Sequence, residues 1–160
     1  MLFTEYELWQ KSELDFFELT DIPEHLYNET IDWGNKYLEY DWGVLTASMY
    51  TKLHSSEYRD GYIKRRVALS ALSLAEHAER KGRYIEEIIN GIWCICEEST
   101  WSLPDGSANL RDVQAPRFDV NSARTASLLA LSAHLFRKEL PVSVKKRVLY
   151  EVRKRVLNQF

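Results

Sequence analysis

Residues 95–104, ICEESTWSLP, close a helical stretch with two adjacent carboxylates, Glu97 and Glu98, followed by two hydroxyls and Trp101. Acids beside an aromatic ring suggest glycosidic chemistry, in which one carboxyl protonates the leaving group and a second acts as base or nucleophile. Such carboxyls flank the scissile bond from opposite sides, about 5–5.5 Å apart for retention or about 6.5–9.5 Å for inversion. Neighbours on one helix diverge by about 100°. Glu97 and Glu98 therefore do not form the pair between them, and one would need a distant partner such as Asp105, Asp112 or Asp119. The structural alternative leaves one Glu in solvent and gives the other to an adjacent loop, or to Arg65 or Arg66. Trp101 has two readings as well, a stacking surface for a sugar ring and a plug between two helices.

Other reactive side chains form no recognisable constellation. His25, His54, His77 and His134 are scattered without ligand spacing, and His134 falls within an Ala/Leu stripe that suits an interior histidine. Cys94 and Cys96 sit two apart on one helix, pointing about 200° away from each other, so they are expected as unbridged thiols. Neither has a His or a further Cys nearby, so no metal site and no cofactor is expected. Tyr58 and Tyr62 are bases by residue type, yet their helical spacing suits core or interface. The basic runs at 145–147 and 153–155 alternate with valines four apart, which describes the solvated face of an amphipathic helix.

The elements that must position these residues read as helices. Residues 5–18 are mixed acidic and aromatic, a helix ending before Asp21, Ile22 and Pro23. A second helix runs from Pro23 towards Tyr40, and a third from Val44 to His54. Ile63, Val67, Ser70, Ala71, Leu74 and Ala78 follow helical spacing, widened by Leu69 and Leu72 and closed by Lys81 and Gly82. Ile85, Ile88, Ile89, Ile92, Trp93 and Cys96 form another stripe, ending at Ser102, Leu103 and Pro104. Residues 104–118 read as a loop. A helix then starts near Val120 with Asp119 as N-cap, running through Ala126, Ala130, Leu131 and Leu135. The last begins at Pro141 and places Val144, Val148, Val152 and Val156 on one line. Short linkers make consecutive helices antiparallel neighbours, so the fold class is all-α, built from helical hairpins.

The 160 residues suit a single helical domain spanning 1–160. A net charge of −3 argues against nucleic-acid binding. No apolar run approaches the ~20 residues of a membrane span. The stretch MLFTEYELWQKSELDFFEL carries acids where a secretory signal is basic. The expected location is cytoplasmic, or secreted or periplasmic if the N-terminus is incomplete.

Tyr62, Arg65, Arg66, Leu69, Leu72, Ala75, Glu76, Ile92, Trp93, the run Glu97, Glu98, Ser99, Thr100, Trp101, then Leu103, Pro104, Asp119, Thr125 and Ala126 together resemble the heparinase II/III-like polysaccharide lyases. The resemblance is to their helical N-terminal domain and covers about half the chain. It implies part of an incomplete α/α toroid, the N-terminal portion of a larger one, whose loop 104–118 lines a cleft for acidic, uronic-acid polysaccharides cleaved by β-elimination. The family pattern places Ala-His-Asn after Leu-Pro, whereas this chain has Asp105, Gly106 and Ser107. Arg124 stands where the pattern carries an acid. The resemblance with these departures implies a domain inactive alone, with Glu97, Glu98, Trp101, Asp105, Asn109 and Arg124 as substrate-binding residues. The alternatives are a non-catalytic helical module that binds carbohydrate or protein, and a toroid glycoside hydrolase. The partners expected are an acidic oligosaccharide or polysaccharide and a second copy, joined through the apolar helix faces that an incomplete ring leaves exposed.

Overall fold

A computed structural model describes residues 22–52, 56–104, 110 and 114–159. Among them the secondary structure is helical, with no strand: α1 (Glu24–Asn35), α2 (Ala47–Thr51), α3 (Ser56–Glu79), α4 (Ile85–Glu97), α5 (Val120–Leu135) and α6 (Val142–Arg155), followed by a 3₁₀ turn, Leu157–Gln159. The all-α expectation holds.

The helix boundaries follow from local chemistry. Asp119 caps α5 by accepting the Ser122 amide at 2.8 Å, and Pro141, which has no amide proton to satisfy, precedes α6. Helix α3 ends at Glu79, where Arg80 and Gly82 both adopt positive φ. The turn is then fastened by the buried Glu76, which accepts the amides of Gly82 at 2.6 Å and Tyr84 at 3.0 Å. A carboxylate there also favours the positive start of α4. Glu76 lies beside the start of α4 and Arg65 beside its end, so α3 and α4 run antiparallel. Two expected helices are shorter: α1 stops at Asn35 before a run of turns, and α2 covers only five residues of the 44–54 stretch. His54 lies outside the described residues.

Helix α3 is the hub, touching α1, α2, α4 and α5, while α6 packs on α4 and α5. The main core gathers Leu69, Leu72, Ile88, Ile92, Ile95 and Leu129, with Trp101, Val144 and Val148. Tyr50, Tyr58 and Tyr62 form a smaller cluster with Leu45 and Leu103. The valine line of α6 and the isoleucine stripe of α4 are buried largely as their spacing predicts. The α3 stripe is displaced: Ile63 and Leu74 are exposed, and the buried line runs through Tyr62, Arg65, Leu69, Leu72 and Glu76. Its polar members find partners inside, which hydrophobic periodicity does not register.

Candidate functional site

Consecutive arginines on α3 diverge around the helix, yet Arg65 and Arg66 both reach the carboxylate of Glu98, the residue that ends α4. Arg65 Nη1 donates to Glu98 Oε1 at 3.0 Å; Arg66 Nη1 reaches the same oxygen at 3.1 Å, and its Nη2 reaches Oε2 at 2.7 Å. The Glu98 side chain is only 3% exposed. Two cations facing one anion leave an excess positive charge, which backbone carbonyls absorb. Arg65 donates to Trp42 O at 2.8 and 3.1 Å and to Gly43 O. Arg66 donates to Tyr62 O at 3.0 Å and Thr125 Oγ1 at 2.9 Å, and lies over the Tyr62 ring. The Tyr62 hydroxyl, 2.7 Å from Trp101 O and 3.0 Å from Thr125 Oγ1, ties α5 to the same node.

A cleft opens on each side of this node. The first, about 360 Å³, lies between residues 43–47 and the end of α4; Tyr50, Tyr58, Arg65, Glu97 and Glu98 line it, with Leu110 at its edge. The Tyr50 and Tyr58 rings meet edge to face, 4.9 Å between centroids. Thr46, Ser99 and Thr100 add hydroxyls. Glu97 is exposed and accepts the Trp93 indole N–H at 2.9 Å. The second cleft, also about 360 Å³, lies between α3 and α5; its lining includes Trp33, Tyr62, Ile63, Asn121, Arg124 and Leu128. Trp33 is 53% exposed, and the exposed Arg124 has no partner among the described residues.

The candidate residues thus do not share one surface. Glu97 and Glu98 line the first cleft and Arg124 the second. Trp101 lines neither: its ring is 1% exposed, its indole donates to Ile95 O at 2.9 Å, and the Arg155 guanidinium lies over it at 4.8 Å. It is the plug between helices, and sugar stacking by this ring is excluded by its burial. Asp105 and Asn109 lie outside the described residues, as does Asp112; Asp119 is committed to the α5 cap. Missing from the sequence reading were Trp33, Tyr50 and residues 43–47. No motif marks them, and only the fold brings them to a cleft.

The buried hydroxyls and the thiol near the clefts favour their neutral forms. Burial, reinforced by the Glu98 charge, raises the Tyr58 hydroxyl well above its ordinary value, and burial also raises Tyr62. Cys94, on the wall of the first cleft, is raised by burial too, so it is a neutral thiol at neutral pH. A general base needs the opposite tuning. Cys94 and Cys96 are both unbridged. Among the described residues no group of three His, Cys, Asp or Glu side chains is placed to hold a metal ion. No helix among them is long and apolar enough to cross a membrane. No known protein family matches the chain, and no curated protein is significantly similar to it.

Proposed function

We propose that the chain is a helical binding module for a hydroxyl-rich ligand of the oligosaccharide class, seated in the first cleft, and that it does not itself cleave bonds. One observation carries this reading: Glu98, the carboxylate at the cleft floor, is held by three N–H···O bonds from two arginines. A carboxylate whose two oxygens are both taken up by guanidiniums is not free to attack as a nucleophile. Residues 43, 44, 46 and 47 are exposed on one side of the cleft and Ser99 on the other. The hydroxyls of Thr46 and Ser99 and the apolar Val44 therefore face solvent, while the Tyr50 and Tyr58 rings are buried behind them. A surface that mixes apolar and hydroxyl groups suits a sugar. On this reading the helices form part of an α/α toroid related to the heparinase II/III-like domains, with the arginine–glutamate node as scaffold. Titration of the full chain with neutral and uronate oligosaccharides, followed by amide chemical shifts, tests it. Shifts confined to residues 43–50 and 94–100, weakened by Tyr50→Ala, are expected; no shift with any saccharide refutes it.

A second reading, recognition or β-elimination of uronic-acid polysaccharides, is favoured by the unpaired Arg124 near the exposed Trp33 in the second cleft. Its test is the absorbance of an unsaturated uronate product with alginate or heparan substrates. Product formation abolished by Arg124→Ala supports it, and no product argues against the elimination step.

A further inference from the structure

One polar group buried on the first cleft has no answer from the protein. Arg65, the one cation among the described lining residues, gives its N–H groups to Glu98, Trp42 O and Gly43 O and is thereby turned into the protein. Both Glu98 oxygens are occupied by Arg65 and Arg66. Thr100 Oγ1 accepts the Ser102 amide at 3.1 Å. The Tyr58 hydroxyl, by contrast, makes no hydrogen bond to any described residue, although Tyr58 is only 5% exposed. A hydroxyl taken out of water without a partner is destabilising, and a partner can reach this one from the cleft that Tyr58 lines.

The charges on the lining say what that partner is. Burial, with the Glu98 charge behind it, keeps the Tyr58 phenol protonated, so it has a proton to donate. Glu97, exposed on the same lining, accepts the Trp93 indole N–H and pairs with no cation among the described residues. The uncommitted charge of the cleft is therefore negative. An anionic ligand meets that charge and finds no cation to receive it, whereas a neutral hydroxyl or ring oxygen accepts the Tyr58 proton and brings no second charge.

We infer that the first cleft selects neutral sugars over uronates, with the Tyr58 hydroxyl as buried donor to a neutral sugar oxygen and Glu97 as the charge that turns acidic sugars away. The inference rests on the first cleft being the saccharide site and names the class of sugar that site takes. It also sets the two clefts apart, because the unpaired cation, Arg124, lines the second and not the first.

The test is calorimetric titration of the full chain, at low salt, with neutral hexasaccharides of glucose, xylose, mannose and galactose and with hexamers of galacturonate and mannuronate. The best hexauronate is expected to bind at least about fivefold more weakly than the best neutral probe. Glu97→Gln is expected to erase most of that difference. Tyr58→Phe, which removes only the hydroxyl, is expected to weaken the neutral probe about 3–10-fold while the melting point stays level or rises, since no bond inside the protein is lost. Uronates that bind as tightly as neutral probes overturn the inference and leave the cleft a saccharide site. A Tyr58→Phe chain that melts lower yet binds as before overturns it as well, by giving the hydroxyl a structural partner. Binding of no probe at all refutes the reading of the cleft, and the inference with it.

Discussion

Replacing Glu98 by Gln removes one charge and almost no volume, which makes it the sharpest probe of the node. In the native chain its carboxylate answers two guanidiniums whose side chains are 6% and 13% exposed. Without it, those cations stay buried and face only neutral acceptors: Trp42 O, Gly43 O, Tyr62 O and Thr125 Oγ1. Breaking a buried ion pair on one side costs about 3–5 kcal/mol. The Gln carbonyl oxygen keeps part of the bonding, so the substitution belongs at the lower end, about 3 kcal/mol, with Glu98→Ala at about 5. At this chain length each kcal/mol moves the melting point by roughly 2–4 °C, giving a drop of about 6–12 °C for Gln. Circular dichroism on melting and urea titration, with the urea slope unchanged, measures it. Arg65→Met combined with Arg66→Met and Glu98→Leu removes all the charges together. It should still fall short of the native chain, because Arg65 also satisfies the carbonyls of Trp42 and Gly43. A Gln variant within about 1 kcal/mol of the native chain would refute the buried node as a stability element.

Alkaline pH should destabilise the chain through groups that fold in their neutral form. Burial, then the Glu151 carboxylate, pushes the Cys96 thiol from 9.0 up to about 12. The unfolded thiol therefore ionises first, and the stability it contributes is complete below pH 9.0 and lost as pH rises towards about 12. Full titration of that difference amounts to about 4 kcal/mol, and Tyr58 acts in the same direction at higher pH. Urea midpoints should fall across that window, less steeply in Cys96→Ala. Gly91→Ala places a methyl group against the Trp42 ring, whose indole is fixed to Glu87 at 2.9 Å. It should cost about 1–3 kcal/mol and shift tryptophan fluorescence, with an unchanged spectrum counting against the packing. Glu151→Gln frees Arg147 and Arg155, which Glu151 holds at 2.9 and 2.7 Å while both donate to Cys96 O at the end of α4. A loss of about 1–3 kcal/mol by urea titration is expected, and no loss would show that the arginines hold α4 without it.

What the sequence disclosed about the fold is what hydrophobic spacing and capping chemistry can carry. Helices α4, α5 and α6 all start where expected, and the apolar lines of α4 and α6 are buried largely as spaced, whereas α5 buries Ser122, Thr125, Ala126, Leu129 and Ser132 and leaves Leu131 exposed. Asp119 and Pro141 act locally, so their effect is visible in a few neighbouring residues. Helix α3 breaks that agreement. It touches four other helices, and a helix surrounded in this way has no single apolar stripe to find. Its exposed Ile63 and Leu74 looked like core because they continue a spacing of apolar residues.

The same reasoning explains why the site was only half legible. One of Glu97 and Glu98 was recognisable as a partner for Arg65 or Arg66, because a helix-end acid needs somewhere to go, but neither that it is Glu98 nor that both arginines share it could be read. That depends on the tilt of α4 against α3, which the Glu76 fastening of their connecting turn helps to set. Arg65 then does something no charge count reveals: by donating to Trp42 O and Gly43 O it anchors the 42–43 backbone, where the wall of the first cleft begins. The wall and the floor of that cleft thus share one guanidinium. Any substitution that unseats Arg65 must alter the cleft and the stability of the helix pair together. Ligand affinity and melting point are therefore coupled through Arg65, whereas substitutions at Tyr50, which lines the same cleft, should change affinity more than Glu98→Gln does for the same loss of stability.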